Sequence, residues 1–412
     1  MHEETNQKFD VKDKIVAFKR VMAPRRDALK GAFDDVRDHV RLRADAIQAD
    51  RAAGRPVVPE IAYKDIKDGT VSEATRQAVR QSGCAVVRGV FPEAQARAWF
   101  DELGDYLEAN DYDSREVEKR SLDKYFSQLK AGKPQIFNVY WSKPQVMARQ
   151  DPKLADTRAF LDRLWRYEGV FNPDRQCAYA DRACRRQPGD KTLGLSPHMD
   201  AGTVERWIDP GYQQVYERVF AGDWRGYDPF DGRHRLDTRE IPSPAVCSMF
   251  RTYQGWTALT QQGPKDGTLR LIPIAEGISY VLLRALQDDV AEDDLCGAAP
   301  GRALGVSPDW HPDLMAGMVS IPEVLPGDTV WWHTDICHAV GDEHAGKEYA
   351  SVIYIGSAPD CAKNRAYLPK QKEAFLAGRS APDFAPMDFE VDFKDRATAD
   401  DLTDIGRVQM GF

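Results

Sequence analysis

Two histidines and one aspartate stand at positions where they could bind a metal ion. His198 and Asp200 are one residue apart, and His338 follows the turn-like Pro326-Gly327-Asp328 and a bulky apolar stretch. The i and i+2 spacing of His198 and Asp200 would put both side chains on one face of a strand. Two imidazoles and one carboxylate are the protein ligands of facial-triad iron(II) centres, which keep positions open for a co-substrate and oxygen. The three residues therefore predict an iron(II) oxygenase site.

The distal histidine is a choice among His333, His338 and His344. His333 ends the strand-like run that begins at Thr329, and His344 lies among acidic and glycine residues typical of a loop. We favour His338 as the ligand and place His333 beside the site. Cys337 adjoins His338, but adjacent strand residues point to opposite faces, so the two cannot readily bind one metal.

Composition and charge narrow the class of protein. The 412 residues are 42% hydrophobic and carry a net charge of -9, which fits a folded, mildly acidic protein. This charge does not favour nucleic acid as a binding partner. The opening residues lack an apolar signal core, and no segment is apolar enough for a membrane helix. Seven scattered cysteines without paired C-x-x-C spacing favour free thiols. We expect a cytoplasmic protein with a small-molecule substrate and leave its oligomeric state open.

The chain divides into a helical start and a β-rich body. Residues 12 to 54 carry apolar residues at helical spacing and predict one or two surface helices. A buried strand is expected over 83 to 90, a helix from Pro92, and another helical segment near Leu154 to Trp165. We expect a helical extension over 1–55, an oxygenase domain over 56–365, and a C-terminal extension over 366–412 packed on the same domain.

Short apolar runs separated by glycine and proline dominate from residue 176 onward. The runs cover 193–198, 246–253, 267–274, 278–284, 329–333 and 350–355. Short strands without alternating long helices predict an α+β protein with a mainly β core, an antiparallel jelly roll. Residues 204–245 read as an insertion over the site mouth, and its aromatic residues could be core packing or a substrate lid. These aromatic residues are Trp207, Tyr212, Tyr216, Trp224 and Tyr227.

Several motifs together resemble a known group of enzymes. His198-Met-Asp200, Gly267 to Pro273, Pro326-Gly-Asp328 and His338 resemble the phytanoyl-hydroxylase-like iron(II)- and 2-oxoglutarate-dependent oxygenases. More closely, the chain resembles the YbiU-like family, a domain of unknown function, from about Pro56 to Arg365. The resemblance implies a double-stranded β-helix, a cupin-like jelly roll with the triad at its open end. It implies no particular substrate.

The expected anchor for 2-oxoglutarate departs from the pattern of these oxygenases. Many of them hold the far carboxylate with an arginine on the last core strand, where this chain has only Lys347 in a predicted turn next to Gly346. Ser351 could supply a hydroxyl, and Arg270 could supply the charge because related branches use a middle strand. Arg284 is the reserve candidate. An arginine fork suits a carboxylate bidentately, which a lysine cannot do.

The residues and the resemblance together predict an iron(II)- and 2-oxoglutarate-dependent dioxygenase. Iron(II), 2-oxoglutarate and O2 would be used to oxidise a small molecule, most simply by hydroxylation. Two alternatives remain open. One is a zinc or manganese hydrolase that works without oxygen, and the other is a jelly-roll binding protein without catalysis. The missing strand-end arginine favours either alternative.

Overall fold

A computed structural model describes residues 2–122, 134–191, 196–243 and 247–412 as a mixture of helices and strands. The helices are α1 His2–Met22, α2 Arg26–Ala52, α3 Tyr63–Asp68, α4 Glu73–Ser82, α5 Glu93–Ala109, α6 Tyr112–Lys119, α7 Lys143–Gln150, α8 Pro152–Asp162, α9 Glu205–Ile208, α10 Pro210–Val215, α11 Glu217–Phe220, α12 Gly277–Arg284, α13 Pro312–Met315, α14 Ala362–Ala377 and α15 Asp404–Met410. The strands are β1 Glu60–Ala62, β2 Cys84–Arg88, β3 Ile136–Phe137, β4 Asn172–Gln176, β5 Ala183–Arg186, β6 His198–Met199, β7 Tyr253–Ala258, β8 Leu269–Leu271, β9 Leu304–Gly305, β10 Val319–Ser320, β11 Thr329–His333, β12 His338–Val340, β13 Ala350–Ser357 and β14 Pro359–Asp360.

Two sheets of unequal size form the β core. The large sheet has the strand order β1-β2-β11-β7-β13-β5-β3, and the small sheet has the order β10-β8-β12-β6-β9. Neighbouring strands in both sheets are antiparallel, except that β1 and β2 are parallel. Strands distant in sequence are therefore neighbours in space, as β5 and β13 are.

The two sheets pack face to face through apolar side chains. Trp256, Trp332 and Val352 of the large sheet share one buried cluster with Leu269 and Leu271 of the small sheet. Because side chains alternate along a strand, the residues between these point away from the shared interior. This alternation decides which side chains can reach the site.

The outer face of the small sheet is covered by the two N-terminal helices and the segment after β6. Met199 and Ala339 of the sheet are buried in one cluster with Val36 and Val40 of α2 and with Ile278 of α12. Ion pairs add to this contact at the rim, among them Arg41 to Asp313 at 2.7 Å. None of the helices that the structure describes is long and apolar enough to cross a membrane.

Most predicted elements near the start of the chain are confirmed. Residues 12 to 54 lie in α1 and α2, the strand over 83 to 90 is β2, and the helix after Pro92 is α5. The run 278–284 was wrongly expected to be a strand, because it forms the helix α12. Almost all of α12 is buried, so its apolar run lacks the alternation that separates a helix from a strand. Residues 193–195 and 246, which belong to two other predicted runs, lie outside the described residues.

The Pro326-Gly327-Asp328 segment is a tight turn that starts β11. Gly327 has a φ of 93°, and a Cβ there would lie 2.2 Å from the backbone oxygen of Phe91. The Asp328 carboxylate accepts hydrogen bonds from the backbone N–H of Gly89 at 2.8 Å and from Arg88. The turn thus fixes the start of the strand that carries Trp332 into the interior.

Candidate metal centre

His198, Asp200 and His338 converge on one point on the inner side of the small sheet. His198 of β6 stands directly opposite His338 of β12 in the strand pairing. One ligand atom from each of the three side chains lies within 4.8 Å of the others. His338 Nε2 is 3.3 Å from Asp200 Oδ2, and His198 Nε2 is 3.7 Å from Asp200 Oδ1. The spacing is that of donors able to share one metal ion.

Backbone contacts orient both imidazole rings for metal binding. His198 Nδ1 lies 2.7 Å from the carbonyl oxygen of Ser196, and His338 Nδ1 lies 3.2 Å from that of Ile336. A carbonyl oxygen only accepts, so each Nδ1 must carry the hydrogen. Each Nε2 lone pair is then free to face Asp200, which is the arrangement typical of metal-binding histidines.

Burial and neighbouring charges prepare the protonation states that a metal requires. Burial lowers the pKa of His198, and the nearby imidazole of His338 lowers it further. Burial alone would raise the pKa of Asp200, but His338, His198 and Arg251 hold it well below its usual range. A neutral imidazole and an ionised carboxylate are the forms that bind metal. The donor set therefore fits a divalent cation, and two nitrogens with one oxygen suit iron(II).

The three residues open into a cavity of about 200 Å³ between the two sheets. Trp256, Trp332 and Leu269 supply apolar walls, and the rings of Trp332 and His338 lie 5.2 Å apart. Gln254 and Thr268 contribute polar groups. A small apolar space with a few directed polar groups is typical of a small-molecule site.

A buried ion-pair network supports the loop that carries Asp200. Arg206 of α9 donates to Asp335 Oδ1 at 2.6 Å and to the backbone oxygen of Asp200 at 2.6 Å. Asp335 also accepts from Arg235 at 3.0 Å. Ala201, next to Asp200, has a φ of 73°, a conformation that a non-glycine residue holds only when its surroundings fix it. The network links the loop after β6 to the turn before β12.

The structure does not bring Arg270 or Ser351 to this cavity. Arg270 lies opposite Ala339 on the outer face of the small sheet, whereas its neighbours Leu269 and Leu271 face the interior. Ser351 is buried on the far side of β13, where its hydroxyl donates to the Cys184 backbone oxygen at 3.1 Å. Strand alternation therefore corrects the expectation that either residue anchors 2-oxoglutarate.

Lys347 and Arg284 also lie away from the cavity. Lys347 is exposed in the segment before β13. Arg284 ends α12, pairs with Asp289 at 2.7 Å and lies over the ring of Trp310. The expected role of both residues as anchors is therefore corrected, and Arg284 does not close a strand.

The other histidines and the insertion aromatics have structural contacts. His333 stacks on Trp165 with ring centroids 4.7 Å apart, and its Nε2 lies 3.0 Å from the Pro229 backbone oxygen. His344 is buried in a loop against the backbone oxygen of Glu348. Five aromatic residues of the insertion pack into the cluster on the outer face of the small sheet, which favours the core-packing interpretation over the lid: Trp207, Tyr212, Tyr216, Trp224 and Tyr227.

Sequence reasoning missed two arginines that line the cavity, Arg186 and Arg251. Arg186 is only 4% exposed and forms no ion pair with any described residue. Its guanidinium donates to backbone oxygens of Gly267, Gly341 and Asp190, and its Nε has no partner. Burial lowers its pKa. The sequence around Arg186 gave only a weak indication of a binding residue. Its position at the cavity depends on the pairing of β5 with β13, which is distant in the sequence.

Comparison with known proteins places the chain in a family. It belongs to the Gig2-like family, whose pattern it matches over residues 9–412. It is 41% identical to YbiU of Escherichia coli K12 over 98% of this chain and 96% of that protein. A crystal structure from Salmonella typhimurium LT2, described as that of a candidate oxidoreductase, is 42% identical, with a TM-score of 0.93 and coverage of 98% and 97%. The GlcNAc Inducible Gene 2 protein of Candida albicans is 27% identical, with a TM-score of 0.78 and coverage of 96% and 88%.

Proposed function

We propose that this protein is an iron(II)- and 2-oxoglutarate-dependent dioxygenase that hydroxylates a small molecule. The observation that carries the proposal is the convergence of His198, Asp200 and His338, with both Nε2 atoms directed at one point inside a cavity. The reaction would convert 2-oxoglutarate, O2 and a substrate C–H into succinate, CO2 and C–OH. One oxygen atom enters succinate and the other enters the product.

The protein residues would act by binding, orienting and excluding water. His198, Asp200 and His338 would hold iron(II), which when bound supplies electrons for activating oxygen. Trp332 and Trp256 would keep the site apolar and so shield the reaction from water. The Arg206 network would keep Asp200 in place as the site fills.

Arg186 is our proposed partner for the far carboxylate of 2-oxoglutarate. Its guanidinium contacts the backbone oxygen of Gly341, which follows His338 by three residues, or about 10 Å of extended chain. A five-carbon diacid bound to the metal at one end could extend along β12 toward this guanidinium. Arg186 is buried without a carboxylate partner among the described residues, and its Nε is left to donate to a ligand.

The sheet topology supports a double-stranded β-helix as the architecture of the site. Four strands of the large sheet lie in the order β11-β7-β13-β5, and four of the small sheet lie in the order β10-β8-β12-β6. The chain crosses from one sheet to the other between β5 and β6, β6 and β7, β7 and β8, β10 and β11, β11 and β12, and β12 and β13. This is the winding expected of two facing four-stranded sheets that enclose a ligand site. The description of the Salmonella relative as a candidate oxidoreductase is consistent with the same proposal.

Anaerobic spectroscopy of the iron-loaded protein tests the proposal. Adding 2-oxoglutarate to wild-type protein with iron(II) should produce a visible metal-to-ligand charge-transfer band, and His338→Ala should abolish it. Oxygen should then be consumed with one succinate formed for each 2-oxoglutarate. Metal binding without the band, together with oxygen-independent turnover of an ester or phosphate, would instead establish a hydrolase. If the protein bound no divalent metal, only the alternative of a jelly-roll binding protein without catalysis would remain.

A further inference from the structure

We propose that Arg251, in the wall of the cavity, binds an anionic group of the substrate, a carboxylate or a phosphate. That the bound anion belongs to the substrate rests on the proposed oxygenase function. The anion site itself is argued from the geometry alone. Arg251 lines the same cavity as His198, Asp200 and His338. Its guanidinium makes no hydrogen bond or ion pair with any residue that the structure describes, and it lies 5.0 Å from the centre of the Tyr179 ring.

The acidic residues around Arg251 already have partners. Asp383 accepts from the Ser248 backbone N–H at 2.7 Å, from the Ser248 hydroxyl at 2.6 Å and from the Tyr179 hydroxyl at 3.1 Å. Asp181 accepts from Arg182 at 3.3 Å. Asp200 faces the two imidazoles of His198 and His338. The Arg251 charge thus has no matching carboxylate of its own and is available to a ligand.

The packing around Arg251 holds its side chain toward the cavity. A Cβ at Gly356 of β13 would lie 3.3 Å from Arg251 Cδ, so the missing side chain leaves room for the arginine stem. On its other side the guanidinium faces the Tyr179 ring, a contact that orients a flat cation without using its N–H donors. A preoriented fork with free donors suits a carboxylate or phosphate group.

Arg251 and Arg186 reach the cavity from different positions along β13. Arg186 stands opposite Ala350 at the start of β13, whereas Arg251 packs on Gly356 near the end of that strand. The two positions are separated by six residues, about 20 Å along an extended strand. Two arginines without a carboxylate partner among the described residues thus line the cavity at two positions, and each can bind an anion of its own. If Arg186 holds 2-oxoglutarate, Arg251 is left for the molecule that is oxidised.

Anion binding to the metal-free protein tests the site without any turnover. The midpoint of thermal unfolding would be measured against inorganic phosphate and against acetate, at an ionic strength kept constant with chloride. Both wild-type protein and Arg270→Gln, a control arginine on the outer face of the small sheet, should be stabilised as the anion binds the folded state. Arg251→Gln should weaken this binding by about tenfold or more, because a charged hydrogen-bond partner is lost. If phosphate raises the unfolding midpoint more than acetate does, the substrate group is a phosphate. If acetate raises it more, the group is a carboxylate.

A second titration separates failure of this inference from failure of the proposed function. Iron-loaded Arg251→Gln should still bind 2-oxoglutarate, whereas Arg186→Gln should not. Loss of 2-oxoglutarate binding in Arg251→Gln but not in Arg186→Gln would make Arg251 the co-substrate anchor and overturn the inference. Unchanged anion binding in Arg251→Gln, or none in wild-type protein, would also overturn it. Wild-type protein that binds the anion through Arg251 but never 2-oxoglutarate would retain the anion site and refute the oxygenase.

Discussion

Arg206 Nη1 lies 2.6 Å from Asp335 Oδ1, and both side chains are fully buried. The same guanidinium donates to the backbone oxygens of Asp200 and Gly202, each at 2.6 Å. One arginine therefore connects the loop that presents the carboxylate ligand to the turn that precedes His338. The relative position of Asp200 and His338 therefore depends on a buried ion pair that contacts neither of these two side chains.

Removing one member of this pair should destabilise the protein and loosen the metal site. Asp335→Asn leaves Arg206 and Arg235 buried without their carboxylate, so the free energy of unfolding should fall by about 3 to 5 kcal/mol. Chemical denaturation measures this loss. Arg206→Met should also lower the affinity for iron(II) by about tenfold to a hundredfold, as measured by metal titration, because support of Asp200 is lost.

A double variant checks that the two residues act as a pair. Arg206→Met with Asp335→Leu should lose less stability than the two single changes added together, since the double change leaves fewer unpaired buried charges. Strictly additive losses would show that the two side chains contribute independently.

The three donors should be needed for iron binding and not for folding. His198→Ala, Asp200→Ala and His338→Ala should each abolish tight iron(II) binding, measured by anaerobic titration, with little change in the unfolding midpoint. His333→Ala is the matched control, because His333 is buried against Trp165 outside the triad. It should retain iron and lose stability. Retained iron affinity in His338→Ala, with loss in His333→Ala, would reverse our choice of distal ligand.

Arg186 should determine the affinity for 2-oxoglutarate. Arg186→Ala removes a buried cationic partner, so the dissociation constant should rise by about a hundredfold, or about 2.7 kcal/mol, while iron binding survives. Arg186→Lys should recover only part of the loss because the fork is absent. Titration of the charge-transfer band measures both values. Arg270→Ala should match wild-type protein, and a large loss there would restore the anchor expected from the sequence.

Glu390 should give the protein a pH-dependent stability that is unrelated to the metal. Burial raises its pKa from 4.5 to about 7, although the backbone N–H groups of Tyr140 and Trp141 and the Tyr106 hydroxyl donate to it. The folded state therefore holds this proton more tightly than the unfolded state. This contribution to stability is complete below pH 4.5 and is lost as the pH rises to about 7. Glu390→Gln should reduce the downward slope of unfolding free energy over this window, measured by denaturation at several pH values. An identical slope would assign it to other groups.

The sequence predicted the cluster of His198, Asp200 and His338 better than the groups around it. His198 and Asp200 were recognisable because they are neighbours in the chain, and His338 because it follows a glycine turn and a strand. Arg270 was misplaced because a three-residue strand offers too little alternation to tell its inner face from its outer face. Arg186 reaches the cavity only because β5 pairs with β13, a strand that lies far from β5 in the sequence. The burial of α12 likewise depends on α2, which no local pattern reveals.

The covering of the small sheet by α1 and α2 has a consequence for synthesis of the chain. The apolar side of α2, including Val36 and Val40, is buried against residues of α12 and neighbouring segments more than two hundred positions later. While a ribosome is making the intervening chain, this surface has no permanent partner. Contacts of such long sequence separation form slowly and leave apolar surface exposed to aggregation. We therefore expect α1 and α2 to be among the last elements to reach their final place, because they are made long before the segments that cover them.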